Sequence, residues 1–197
     1  TICFENKRYK EIEIPIIGRH NILNASAVFG LCLKLGMVEE KIRSAFMSFK
    51  GVNRRLEYKG VVKGIIFYDD YAHHPTEIFT TLKAIKHAVG FKRVVLAFQP
   101  HRYSRTLACL KEFKAAFEAA DIVIITDIYA AGEAPIKEID EERLLHEINR
   151  EARRPAYHVS RSQLACQLVK ILKTGDCLVT MGAGDISNVS YDIMENL

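Results

Sequence analysis

A mostly parallel α/β sheet with helices on both faces is the fold class this sequence predicts for most of its length, and three observations predict it. Beyond residue 56, short apolar runs rich in β-branched residues alternate with helical periodicities, the order that a parallel sheet with crossover helices requires. The runs at residues 93–98, 122–126, 156–159 and 176–180 have strand length and are too short for buried helices. Polar clusters follow these runs and the hairpin before them, which puts them at the carboxyl edge where such sheets bind ligands. A Rossmann-like domain over residues 52–197 is the result.

Taken in order, residues 1–4 and 11–14 read as two short strands separated by a polar turn at 5–10 and ending at Pro15. Ile22, Leu23, Ala27, Val28, Leu31 and Leu35 recur at three and four spacing, which predicts a helix over 21–35 stopped by Gly36. A second helix, 38–49, closes at Gly51. About fifty residues bury too little surface to be stable alone, so residues 1–51 read as the tail of a larger domain. A hairpin, 56–62 with 64–68, opens the second part, and its helices are predicted at 76–88, 105–119, 141–151, 162–172 and about 186–195. There is no internal repeat.

Composition narrows the function classes. With 197 residues, 49% of them hydrophobic, the chain can bury one good core. Its longest apolar stretches fall far short of the roughly 20 residues of a membrane helix, so no membrane partner is expected. The net charge of +4 is spread over interleaved basic and acidic residues, too weak a pattern for nucleic acid. It would suit an anionic small substrate, but an ordinary solvated surface is the simpler account. Five cysteines without a CxxC pair read as buried free thiols in a reducing, cytoplasmic compartment. The first residues show no signal-peptide order and no initiator Met, which predicts a trimmed chain.

Four clusters carry chemistry. Asp69-Asp70-Tyr71-Ala72-His73-His74-Pro75 ends an apolar strand, and Pro75 and Glu77 suit the first and third positions of the following helix. Neighbouring residues on a strand point to opposite faces and match no zinc spacing, so no metal site is predicted there. In Gln99-Pro100-His101-Arg102-Tyr103-Ser104-Arg105, Arg102 and Arg105 lie three apart and would share a helical face beside His101. Two guanidiniums can hold a carboxylate or phosphate through paired hydrogen bonds. The third cluster is Asp127-Ile128-Tyr129-Ala130-Ala131-Gly132-Glu133. The fourth, Gly182-Ala183-Gly184-Asp185, either packs a strand tightly onto a helix or faces a ligand. Near the start, Asn21 and Asn24 sit one helical turn apart, where they could cap the helix or read a nucleobase edge.

These segments, with Gly18 to Asn24 and Gly51-Val52-Asn53-Arg54-Arg55-Leu56-Glu57, resemble in sequence order the motifs of the Mur ligases, which join amino acids to a UDP-muramyl precursor of peptidoglycan. Asp69 to Glu77 followed by Phe98 to Thr106 looks like the L-alanine-adding branch. The branch that reattaches a recycled murein tripeptide shares only the His-His-Pro run. A stand-alone nucleotide-binding module is the other alternative. The resemblance implies an ATP-dependent enzyme with Mg2+, in which UDP-N-acetylmuramate is activated as an acyl phosphate and attacked by L-alanine. It implies His20, Asn21 and Asn24 at adenine, Arg55 at the ATP phosphates, and Asp70 at the ribose. Tyr71, His73, His101, Arg102 and Arg105 would surround the amino acid. No Gly-x-x-x-x-Gly-Lys-Ser/Thr run occurs in the 197 residues, so the phosphate cradle and the metal ligands are expected outside them. Residues 1–51 would then be the end of a central ATPase domain, residues 52–197 the amino-acid domain, and this stretch alone inactive.

Overall fold

The computed structural model describes every residue except Val89, Phe91, Lys92 and Glu151. It divides into two compact units, Thr1–Val52 and Asn53–Leu197.

In the first unit, β1 (Ile2–Phe4) pairs antiparallel with β2 (Lys7–Tyr9). The turn residues Glu5 and Asn6 both have positive φ, 45° and 62°, as a two-residue hairpin turn demands. The predicted second strand at 11–14 is therefore replaced by 7–9. The polar run hid it, because Lys7 and Arg8 are exposed and only Tyr9 is buried. Helices α1 (Arg19–Lys34) and α2 (Glu39–Ser48) complete the unit. Its core is Tyr9, Ala25, Phe29, Ile42 and Phe46, with the Phe29 ring 5.2 Å from Tyr9 and 6.0 Å from Phe46. The face of α1 that the periodicity marks as buried is instead exposed at Ile22, Leu23, Val28, Leu31 and Leu35, while Ala25, Phe29 and Gly30 point inward.

The second unit begins with β3 (Glu57–Val62) and β4 (Ile65–Asp70), an antiparallel hairpin. It continues through α3 (Pro75–Ala88), β5 (Arg93–Phe98), α4 (Tyr103–Ala108), α5 (Phe113–Ala116) and β6 (Ile122–Ile125). It ends with α6 (Glu141–Asn149), β7 (Ala156–His158), α7 (Leu164–Ile171), β8 (Asp176–Met181) and α8 (Ser187–Asn196). The strands form one sheet in the order β3-β4-β8-β5-β6-β7, parallel throughout except for β3 against β4. The last strand thus enters between β4 and β5, and the carboxyl ends of β4, β8, β5 and β6 lie side by side.

Burial on both faces explains why β5 is apolar beyond Arg93 and why β8 carries Cys177, Leu178, Val179 and Met181. One face packs Phe67, Val95, Ala97, Ile124 and Leu178 with Leu164 and Leu168 of α7 and Val189 and Ile193 of α8. On β5 the alternate residue Phe98 packs its ring, tilted, 5.7 Å from Phe113 and 5.4 Å from Phe117. The single helix predicted over 105–119 is broken in two. At the break, Leu110 and Glu112 donate to carbonyls three residues back in place of four, a tightened turn between α4 and α5. The helix predicted at 162–172 is also shorter, and the end of the one predicted at 141–151 lies outside the described residues. Of the five cysteines only Cys177 is buried, where desolvation pushes its thiol up to about 12; Cys3 and Cys166 are exposed. No helix among the described residues is long and apolar enough to cross a membrane.

The second unit contains a complete two-faced core, so Asn53–Leu197 expressed alone should unfold in one cooperative denaturant transition. A gradual transition with strong dye binding to exposed apolar surface in buffer would contradict this.

Candidate functional site

The carboxyl edge of the sheet is held by backbone bonds from one strand end to the next. Gly182 N–H donates to the Asp70 carbonyl, Gln99 N–H to Met181, Thr126 N–H to Phe98 and Arg102 N–H to Tyr129. Side chains complete the frame. Arg54 Nε lies 3.0 Å from Oδ2 of the fully buried Asp69, and its Nη atoms donate to the carbonyls of Gly182, at 2.6 Å, and Gly184, at 3.2 Å. Thr180 Oγ1 donates to the other Asp69 oxygen. Buried Gln99 donates to Asp185 and accepts from the Ile186 N–H. A Cβ at Gly184 would collide with the Gln99 amide oxygen and lie 2.6 Å from Cγ of Tyr129, so glycine here lets the Tyr129 ring lie on the loop.

On this frame four rings stand in a row drawn from three strand ends. Tyr71 meets His73 at 5.5 Å, His73 meets His101 at 5.8 Å, and His101 stacks on Tyr129 at 5.6 Å with the planes 15° apart. His73 Nδ1 lies 2.9 Å from the Tyr71 carbonyl, and His101 Nδ1 lies 3.1 Å from Nη1 of Arg105. Glu77, at the third position of α3, accepts from the His73 and His74 N–H groups, and Pro75 opens that helix. Burial first, then the charges of Arg105, His73 and Arg102, hold the His101 ring below its ordinary pKa of 6.5. Its neutral form is therefore the one present at pH 7.

The structure brings Tyr71, His73, His101 and Arg105 together. Arg102 has φ 69°, is exposed and sits just before α4, so the two arginines do not share a helical face: Arg105 turns to His101 and Arg102 stays in solvent. Arg55 is 49% exposed, with its nearest carboxylate, Glu77, at a loose 3.7 Å, a cation available to a ligand. Asp70 is placed differently from the ribose contact expected of it. It is 4% exposed, and its oxygens accept from the Leu56 and Ala72 N–H groups at 2.7 Å each. Burial raises its pKa against those two bonds. This carboxylate holds the turn that carries Arg55, a role its position at the end of an apolar strand did not disclose.

In the first unit, His20, Asn21 and Asn24 occupy the opening turns of α1. The helix is capped by Gly18 with no side-chain bond, so neither amide is the cap; Asn21 donates to the Ile17 carbonyl and Asn24 is exposed. Sequence reasoning left Gln99, Arg54 and Tyr129 without roles. For Tyr129 the signal was its position after an apolar strand, the same that singled out His101. Among the described residues no group of three or more His, Cys, Asp or Glu is placed to hold a metal ion.

A two-faced, mostly parallel sheet whose last strand enters its centre, with cationic and imidazole side chains gathered at its carboxyl edge, defines an α/β domain with a candidate ligand site at that edge. The chain belongs to the Mur ligase family: the family profile described as "Mur ligase, glutamate ligase domain" matches residues 54–184. It is 45% identical over 191 residues to the UDP-N-acetylmuramate--L-alanine ligase of Protochlamydia amoebophila, covering 97% of this chain and 42% of that protein. A crystal structure of a UDP-N-acetylmuramate-alanine ligase from Thermotoga maritima superposes with a TM-score of 0.77 at 30% identity, over 97% of this chain and 41% of that one. A domain from a UDP-N-acetylmuramate:L-alanyl-gamma-D-glutamyl-diaminopimelate ligase of Haemophilus ducreyi superposes less closely, with a TM-score of 0.53 at 27% identity. It covers 72% of this chain and 98% of that domain. This chain spans about two fifths of the length of the ligases from Protochlamydia and Thermotoga.

The His101 environment has a pH consequence. An unfolded ring takes up its proton near 6.5 and the folded ring only at lower pH, so the unfolded chain binds more protons in that window. Stability from this group is full above pH 6.5 and falls as the pH drops below it. In Arg105→Gln the His101 pKa should move back up, read by NMR titration of the ring; an unchanged value would remove Arg105 as a cause.

Proposed function

We propose that this chain is the amino-acid-receiving part, with a portion of the nucleotide-binding part, of a cytoplasmic ATP-dependent ligase that adds L-alanine to UDP-N-acetylmuramate in peptidoglycan synthesis. The observation that carries the reading is the convergence of Tyr71, His73, His101 and Arg105 at one sheet edge, with exposed Arg102 beside it, in a chain 45% identical to a ligase of that name. The tripeptide-recycling reading is less favoured, since the similarity to the domain from Haemophilus ducreyi is weaker in both identity and superposition. The apolar exposed face of α1 fits a unit that continues into further ATPase residues, and so argues against a stand-alone module.

When bound, ATP with Mg2+ would supply the phosphoryl group that makes the muramyl carboxylate an electrophile. This chain's part is positioning and charge. Arg55, held out on its turn by Asp70, faces phosphate oxygens. His20, Asn21 and Asn24 offer an imidazole and amides to the base. Arg102 meets the alanine carboxylate, and the imidazole and phenol rings wall the amine.

The test is phosphate release by the full-length protein that carries this chain, varying each substrate in turn. Release should require ATP, UDP-N-acetylmuramate and L-alanine together. A charge-assisted contact is worth roughly 1.5 to 3 kcal/mol, so Arg102→Ala should lower kcat/KM for L-alanine on the order of tenfold to a hundredfold, and Arg102→Lys should restore only part. Intact alanine kinetics in a folded Arg102→Ala variant would return this arginine to surface charge, and release that ignores L-alanine would overturn the substrate.

A further inference from the structure

We propose that Arg161 is a positioning residue of the carboxyl edge: through Asp185 it holds the loop after β8 against Tyr129, and so sets the stack of Tyr129 on His101 without touching a ligand itself. This role rests on the reading of the edge as an amino-acid site, and Arg161 lies outside the four polar clusters that the sequence places there.

Contacts around Arg161 close a circuit. Arg161 precedes α7, and its N–H donates at 2.8 Å to Oδ2 of Asp127, two residues before Tyr129 on the segment that follows β6. The other Asp127 oxygen lies 2.9 Å from Nε2 of His158 at the end of β7, so the carboxylate is held from two sides. From there the Arg161 side chain reaches the loop after β8. Nη2 donates to the Asp185 carbonyl at 3.2 Å, and Nε lies 3.3 Å from the Asp185 carboxylate as an ion pair without an aligned hydrogen bond. The other Asp185 oxygen takes the amide of buried Gln99 at 2.7 Å. Next to Asp185, Gly184 meets the Tyr129 ring: a Cβ there would stand 2.6 Å from Cγ and 2.8 Å from Cδ2 of that ring. The circuit returns to the segment from which it started.

Two arginines therefore grip one loop. Arg54, ahead of β3, holds the Gly182 and Gly184 carbonyls, and Arg161, ahead of α7, holds Asp185. Because β3 and β7 are the two outer strands of the sheet, the loop at its centre is tied toward both sides. The Arg161 tie contributes placement more than stability. The side chains of Arg161 and Asp185 are 25% and 47% exposed, and an ion pair so open to water is worth little. Placement at a site is far more sensitive, since a displacement of about 1 Å can cost on the order of a hundredfold in rate. Tyr129 stacks on His101 with the planes 15° apart, so a shift of the loop passes to the imidazole. An ion pair present only for stability would leave that stack unmoved on removal.

The first test reads the His101 ring signals in 1H–13C spectra of this 197-residue chain, since an imidazole stacked on Tyr129 feels its ring current. Tyr129→Leu marks where the signals fall when the stack is lost, and His101→Gln assigns them. In Arg161→Met the signals should move toward the Tyr129→Leu positions while the denaturant midpoint stays near that of the wild type. Arg161→Lys, with a cation but no fork, should return them part of the way. Asp185→Asn keeps the acceptor for Gln99 and the backbone carbonyl but removes the charge, and should shift them in the same direction by less. His101 signals at their wild-type positions in Arg161→Met would overturn the proposal; so would a large loss of stability, which would make Arg161 a residue of the fold. In the full-length protein, Arg161→Met should lower kcat/KM for L-alanine on the order of tenfold while KM for ATP stays within about twofold. Intact alanine kinetics in that variant, where the wild type uses L-alanine, would sink the inference alone. If the wild type uses no amino acid, the functional reading falls, and the His101 signals decide by themselves whether Arg161 sets the stack.

Discussion

One buried ion pair holds the functional edge together. Asp69 is fully buried at the end of β4, and a carboxylate there is tolerable only if its lone pairs are met. Arg54 and Thr180 meet them, and the remaining N–H groups of the same guanidinium take the Gly182 and Gly184 carbonyls of the loop after β8. Arg54 thereby ties β3's approach, β4 and β8. Because its carbonyl also accepts from the Tyr71 N–H, and its guanidinium lies 5.1 Å over the Tyr71 ring, the tie reaches the first ring of the site. The two adjacent arginines divide the work: Arg54 is spent on the frame and Arg55 is left in solvent.

The frame also stores strain. Arg54, Leu56, Arg102 and Ala131 all have positive φ, a conformation costing on the order of 1–3 kcal/mol for a side-chain-bearing residue. Each lies within two residues of a group that matters at the edge: Arg55, His101 or the Tyr129 loop. Specific bonds hold these kinks in place. Glu57 accepts from the Arg54 N–H, Asp70 from the Leu56 N–H, and the Tyr129 carbonyl from the Arg102 N–H. A ligand therefore meets side chains already aimed, and the ordering cost falls on folding and not on binding.

The sheet was legible because its central strands are buried on both faces, which forces the apolar runs that make β5 and β8 visible. The site's location followed from topology, since polar residues after apolar strands collect at one edge. What the sequence hid depends on long-range contacts. Nothing in Asp69-Asp70 says that both carboxylates turn inward, Asp69 to Arg54 and Thr180 and Asp70 to the Leu56 N–H fourteen residues back. The spacing of Arg102 and Arg105 suggested a shared face, but the positive φ of Arg102 is set by Tyr129, twenty-seven residues downstream. The same limit misled the reading of α1, where the periodic face is exposed and the buried one is small.

The pairing of Arg54 with Asp69 is the claim on which the rest turns, and a double-mutant cycle on it is the most direct measurement. Arg54→Met and Asp69→Asn, singly and together, would be compared by denaturant unfolding of the 197-residue chain. Leaving one buried partner uncompensated should cost roughly 3–5 kcal/mol in Arg54→Met, and the double variant should lose far less than the sum of the two single losses. Losses that add to within about 0.5 kcal/mol would mean that the two side chains act independently, and the edge would have to be held by something else.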